Sequence, residues 1–231
     1  MQNLKSFKDP DQAILHQYMS ETYPLQDIQI VDVGSRKGKW IGAFVRDFPN
    51  AEFHCFEAIP DTWTILNNRF ANNKNVTCYN YAVSNNNNKS SFFIDKERAG
   101  WSGLQKHTNL NNVYTEIQIP CMTLDTLNLS PTLIKIDVEG AELLVLQGAK
   151  ETLARTKLVY FECGEVHFTN YSYTASDVYS FLTDNNFILY TLDFKKLSLE
   201  EFIYNTSIER RTEKVRRSGN YFAFNQNNLK L

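Results

Sequence analysis

The chain has 231 residues, a formal net charge of −2 from 24 Lys+Arg against 26 Asp+Glu, and 13% aromatic residues. That length suits one α/β domain with a full core, and the balanced charge argues against a basic field for nucleic acid and against an acidic solvating tail. The opening MQNLKSFKDPDQ lacks the apolar centre of a signal peptide, no apolar run is long enough to span a bilayer, and Cys55, Cys78, Cys121 and Cys163 form no CxxC pair, so a reduced cytoplasmic protein with buried thiols is expected.

In chain order, Ile14, Leu15, Tyr18 and Met19 share one face at helical spacing and predict an opening helix. DIQIVDVG, 27–34, reads as a buried strand stopped by glycine. Trp40, Ile41, Phe44, Val45 and Phe48 form the apolar stripe of a second helix. AEFHCFE, 51–57, is a second strand, and Pro60 starts a helix carrying Trp63, Leu66 and Phe70. NVTCYNYAVS, 75–84, is expected as one continuous third strand, and the asparagine run after it turns into SSFFID as a hairpin. Residues 96–112 have no period and read as a loop, with Gly100 and Gly103 as hinges of a mobile lid. TEIQIPC is a strand and TLDTL a short helix. TLIKIDV, 132–138, is the next core strand, with a helix from Ala141. KLVYFEC, a helix marked by Ala175, Val178, Tyr179 and Leu182, the strand FILYTLD, a basic loop ERRTEKVRR and a last strand NYFAFN complete the chain. Alternating strands and helices predict a mostly parallel, doubly wound sheet whose last two strands form an antiparallel edge. One domain over 1–231 is expected, with 1–26 as a helical extension and 85–122 as an inserted hairpin and loop near the site.

In such sheets ligands bind beyond the carboxyl ends of the strands. After the first strand, Gly34 permits a tight turn and Gly38 close packing of the following helix, although DVGSRKG is not GxGxxG. Glu57 ends the second strand, and its spacing from Asp32 suits an acid that accepts the hydroxyls of a ribose. Ala82 and Val83 offer a small apolar surface for a flat base, or plain core. In IKIDVEGAE, 134–142, strand alternation sets Lys135 and Asp137 on one side and Ile134, Ile136 and Val138 on the other. Charges inside a covered sheet are costly unless paired or used, so Lys135 is expected to neutralise a neighbouring acid. Glu142 reads as a residue that offsets the helix dipole.

VDVGSRKG, CFEAIP, TLDTL and above all IKIDVEGAE resemble the FkbM family of S-adenosylmethionine-dependent methyltransferases, from about residue 28 to about residue 186. The resemblance implies a class I methyltransferase fold, Rossmann-like and α/β, with seven strands and an antiparallel last strand. It implies O-methylation of a sugar, polyketide or related small-molecule or glycan hydroxyl. It also implies that Asp32, Gly34 and Gly38 cradle the methionine part of the cofactor, that Glu57 holds the ribose and that Ala82 and Val83 flank the adenine. Asp137 falls beside the sulfonium and Glu139 on the acceptor side. Two positions depart from the family pattern. Ser35 and Arg36 replace alanine-asparagine, with Arg36 able to pair with the cofactor carboxylate, and Ala58 replaces a proline.

A hydroxyl acceptor needs a base or a metal. Asp137 is the first candidate for the base, Glu162 the second, and His167 the best placed histidine, ahead of His16, His54 and His107. A divalent metal held by Asp137 with Glu162 or Glu139 is left open. Two rivals also stay open: a nicotinamide-dependent oxidoreductase on the same sheet, and a nucleotide-binding module without chemistry. The basic run 210–217 is either a solvated loop or a contact for a phosphate-bearing acceptor.

Overall fold

The computed structural model describes residues 9–24, 28–107, 112–168, 170–207 and 219–228, and the basic run 210–217 lies outside them. Helix α1 (Pro10–Thr22) opens the described chain, capped by the Asp9 carboxylate accepting from the Asp11 amide at 3.0 Å. Then follow β1 (Gln29–Val33), α2 (Ile41–Asp47), β2 (Glu52–Phe56), α3 (Pro60–Phe70), β3 (Val76–Tyr79), β4 (Ala82–Val83), β5 (Lys89–Asp95) and β6 (Tyr114–Met122). The second part runs β7 (Leu133–Ile136), α4 (Glu142–Gln147), α5 (Lys150–Arg155), β8 (Leu158–Glu162), α6 (Glu165–Phe168), α7 (Ala175–Asp184), β9 (Phe187–Tyr190), α8 (Leu199–Thr206) and β10 (Asn220–Asn225).

Seven strands form one sheet in the order β3-β2-β1-β7-β8-β10-β9. All its pairings are parallel except those of β10, which is antiparallel to both β8 and β9. The antiparallel strand therefore lies inside the sheet, and β9 is the edge. The chain winds outward from β1 to β3, then resumes at β7 on the other side of β1, so the strand order reverses between β1 and β7.

Strand alternation gives two cores, one on each face. Val31, Val33, Ile134, Ile136, Val159 and Phe161 pack against α4, α5, α7 and α8. Ile30, Phe53, Leu133, Leu158 and Phe222 pack against Leu15 and Met19 of α1, Phe44 of α2 and Leu66 of α3. Each fully buried side chain of this size contributes about 1.5–3 kcal/mol before chain entropy is counted.

Three expectations are corrected. The third strand divides after Tyr79, where the Asn80 amide donates to the carbonyls of Glu57 at 2.9 Å and Ala58 at 3.1 Å, and the chain leaves the main sheet. Ala82 and Val83 become β4 of a separate sheet ordered β4-β6-β5. No hairpin forms across the asparagine run, because β4 and β5 flank β6 and the antiparallel partner of β5 is β6. The loop after β5 is anchored in its described part: Asp95 Oδ1 accepts from the amides of Glu97 and Arg98, both at 2.8 Å, and Gly103 pairs with Phe93. Gly103 is thus fixed in a bridge where a hinge was expected.

Candidate active site

A cavity of about 600 Å3 opens where β1, β2 and β7 end, lined by Gly34, Glu57 and Asp137, which follow those strands. Gly34 has φ +81, and a Cβ there would stand 2.0 Å from the Asp137 carbonyl oxygen. Only glycine lets the turn after β1 press on the end of β7. The Gly34 and Ser35 amides donate to the Phe56 carbonyl at 3.1 and 2.9 Å, which ties this turn to β2. Gly38 has a different task from the one expected. Its missing Cβ leaves room for Phe70 and Leu66, side chains of α3, not for the helix that follows it.

Glu57 is 5% exposed and held at both oxygens: Oε2 accepts from the Arg36 amide at 2.9 Å and Oε1 from the Ile59 amide at 2.9 Å. Burial pushes its carboxyl up, and the two amides pull it back. Each oxygen keeps a second lone pair for a ligand hydroxyl. Arg36 reaches this position in the left-handed region, φ 51. Ala58, Ile59, Ala82 and Val83 form the apolar wall nearby.

The opposite wall is acidic. Asp32 and Lys135 are direct neighbours across β1 and β7, on the face that α2 covers. Lys135 Nζ lies 3.1 Å from Asp32 Oδ1 and 3.2 Å from Asp137 Oδ2, donates to the Gly34 carbonyl at 3.1 Å, and sits over the Trp40 ring at 5.5 Å. Burial works against the Lys135 charge, but Asp137 and Asp32 together outweigh it, and the lysine pKa is raised. Burial pushes Asp32 up, with Lys135 opposing. Beyond Asp137, Glu139 Oε2 lies 2.9 Å from His167 Nδ1, and Glu162 Oε1 lies 3.9 Å from His167 Nε2. Oxygens of Asp137, Glu139 and Glu162 all lie within 4.8 Å of one another, near enough for a shared cation. Lys135 and His167 already face them, so no metal is assigned to the cluster.

Of the residues singled out in the sequence, Gly34, Ser35, Arg36, Glu57, Ala58, Ala82, Val83, Asp137, Glu139 and Glu162 line this cavity, while Asp32, Gly38 and His167 stand behind its wall. Asp32 is fully buried and meets the cavity through Lys135 and through Ser35, whose hydroxyl donates to the Asp32 carbonyl at 2.8 Å. His167 meets it through Glu139. Glu142 stands in the first turn of α4, as expected of a residue that offsets the helix dipole, but it does more than that. It is 2% exposed, and its Oε1 accepts from the Val138 and Gly140 amides at 3.3 and 3.1 Å, closing the turn that carries Glu139. Burial pushes its carboxyl up to about 7. Phe92, Ser102 and Leu104 also line the cavity. They arrive through the β5–β6 pairing and the Phe93–Gly103 bridge, and no local pattern in the sequence announces that.

The description "Methyltransferase FkbM domain" matches residues 32–189 of the chain. Among solved structures, the chain is similar to precorrin-6y C5,15-methyltransferase from Geobacter metallireducens GS-15, at a TM-score of 0.45 and 12% identity over 83% of this chain and 78% of that one. It is also similar to the plantazolicin methyltransferase BpumL in complex with SAH, at a TM-score of 0.49 and 11% identity over 94% of this chain and 82% of that one. No curated protein matches the chain.

Proposed function

The chain belongs to the FkbM methyltransferase family and takes S-adenosylmethionine as cofactor, and from that premise we propose that it methylates a hydroxyl oxygen of a sugar, polyketide or related small-molecule or glycan acceptor. The observation that carries this reading is the acidic wall of Asp137, Glu139 and Glu162 facing the same cavity as Glu57. A hydroxyl is a weak acid and needs a nearby base at the moment of transfer, whereas an amine or a thiolate needs less help.

The residues present fit the cofactor. Glu57 is a buried, oriented carboxylate with lone pairs to spare, suited to the two ribose hydroxyls. Ala58, Ala82 and Val83 supply an apolar stretch of the lining suited to the adenine. Gly34, Ser35 and Arg36 would hold the methionine part, with Arg36 suited to its carboxylate and Asp137 to its ammonium. When bound, the cofactor supplies a methyl group already activated by a positive sulfur. The protein has to align the acceptor oxygen, exclude water and receive one proton. Asp32 and Gly38 act at one remove: Asp32 fixes Lys135, and Gly38 admits α3 against the turn. We read 1–231 as one methyltransferase domain, with 1–26 as a helical extension and 85–122 as an insertion that supplies part of the cavity wall. Among the described residues no helix is long and apolar enough to cross a membrane.

The test is incubation with methyl-labelled S-adenosylmethionine and a panel of methyl glycosides, hydroxy acids and polyketide lactones, with the methyl located by fragmentation mass spectrometry. A label on oxygen is expected. A label on nitrogen or carbon would overturn the assignment of the acceptor atom.

A further inference from the structure

We infer that Glu139 is the base that takes the acceptor's hydroxyl proton, and that His167 is the residue that positions it from behind the cavity wall. The inference rests on the O-methyltransferase reading. The three acids on that wall are not equivalent. Asp137 lies 3.2 Å from Lys135, a buried ammonium that it shares with Asp32, and is the acid suited to the cofactor's own ammonium, so its charge serves the cofactor side of the cavity. The Glu162 side chain is 32% exposed and sits at the end of β8. The Glu139 side chain is 15% exposed and belongs to a residue at φ 55, a conformation that L side chains rarely adopt.

That conformation is fixed from several directions. His167 Nδ1 meets Glu139 Oε2 at 2.9 Å. The next residue, Gly140, has φ +105 and lies so close to the His167 carbonyl oxygen that a Cβ would stand 2.1 Å from it. Glu142 accepts from the amides on either side of Glu139, those of Val138 and Gly140. The Tyr173 hydroxyl donates to the Gly140 carbonyl. A residue in an unfavourable backbone region persists only where its surroundings over-determine it, and such residues cluster at functional sites. Here these contacts together fix the turn that sets Glu139 in the cavity lining.

His167 is held as firmly. It is 7% exposed, and its ring centroid lies 5.7 Å from that of Trp101 and 6.0 Å from that of His107. The acids around it are Glu139, Glu162 and Glu142. Nδ1 stands 2.9 Å from Glu139 Oε2, close but without the N–H···O alignment of a hydrogen bond. In the transfer step the acceptor O–H bond breaks and a Glu139 O–H bond forms. The electron pair left on the acceptor oxygen would take the methyl as the bond from the methyl carbon to sulfur breaks, and that bond's pair would leave with S-adenosylhomocysteine. His167 holds Glu139 Oε2 from behind the wall during that step, at 2.9 Å.

The first test needs no acceptor. In protein labelled with 15N-histidine and saturated with S-adenosylhomocysteine, the His167 Nδ1 signal should move in Glu139→Gln at a fixed pH. An unchanged signal would overturn the pairing. The second test uses the methyl glycosides above. Glu139→Gln should lose roughly 10²–10⁴-fold in kcat, with S-adenosylhomocysteine affinity within about twofold of the parent. Formate should restore part of the turnover of Glu139→Ala. His167→Asn, whose amide nitrogen reaches the place of Nδ1, should retain more turnover than His167→Ala or His167→Gln, which a merely structural role would not order in that way. An O-methyl product formed by Glu139→Gln at the parent rate would overturn this inference alone. A methyl on nitrogen or carbon would overturn the function it rests on.

Discussion

Glu57 and Glu142 are both nearly buried carboxylates, at 5% and 2% exposure, yet their surroundings give them different work. Glu57 has an amide on each oxygen and faces the cavity, so it is oriented without being used up. Glu57→Ala should weaken S-adenosylhomocysteine binding by about 1.5–3 kcal/mol, the usual contribution of hydrogen bonds to a charged group. Calorimetry on the folded variant checks this, and unchanged affinity would remove Glu57 from the ribose site. Glu142 has both amides on Oε1, and Oε2 finds no hydrogen-bond partner among the described residues. Its folded pKa of about 7 lies above the ordinary 4.5. The sign follows: a raised carboxyl favours the folded state when protonated, so its contribution is full below about pH 4.5 and is lost as pH rises to about 7. Glu142→Gln keeps the acceptor oxygen and removes the charge. The variant should therefore gain on the parent as pH rises through this window, by up to a few kcal/mol above pH 7. Denaturant melts at pH 4.5 and pH 8 measure the gap, and an equal gap at both would place the Glu142 pKa near its ordinary value.

At the scale of elements, the pairing of β1 with β7 shows how far the sequence could be read. Alternation alone put Lys135 on the side opposite Ile134 and Ile136, and the partner acid it called for is Asp32 across the strand as well as Asp137 along it. Removing one member of a buried pair leaves its partner uncompensated, so Lys135→Met should destabilise by about 3–5 kcal/mol. The double variant Asp32→Leu/Lys135→Met should recover much of that loss, and additive losses in the two single variants would mean the residues do not couple. The strands and long helices were legible because their periods are set by burial on one or two faces. Helix α8 was missed although its start is written locally: Ser198 and Glu201 form a capping box, with amide contacts at 3.2 and 3.0 Å. The break between β3 and β4 was not legible. It depends on Asn80 reaching carbonyls of residues more than twenty positions earlier, and Ala82 and Val83 are as apolar as any strand residue. The site residues that the sequence named lie at strand ends. Those it missed or misplaced, Phe92, Ser102, Leu104, the turn-closing role of Glu142 and the supporting role of His167, depend on contacts that no spacing records.

For the molecule as a whole, the reversal of strand order between β1 and β7 leaves an opening that neighbouring crossovers cannot fill, and the cavity lies there. Its walls come from the first turn, the end of β2, the small sheet of β4, β5 and β6, and the acidic turn before α4. None of these segments completes the pocket alone. A ligand that spans them should therefore stabilise the domain globally, by mass action on the folded state. S-adenosylhomocysteine at about 100 times its Kd should add about 2.7 kcal/mol. For a domain of this size that raises Tm by about 5–10 °C. NAD has adenosine in common with it but lacks the methionine ammonium and carboxylate that Asp137 and Arg36 are suited to hold, so it should leave Tm unchanged at the same concentration. Scanning calorimetry with each ligand decides the matter. Equal stabilisation by both would mean that the cavity recognises only the nucleoside. The methionine end would then have to be held by something other than the turn after β1 and the end of β7.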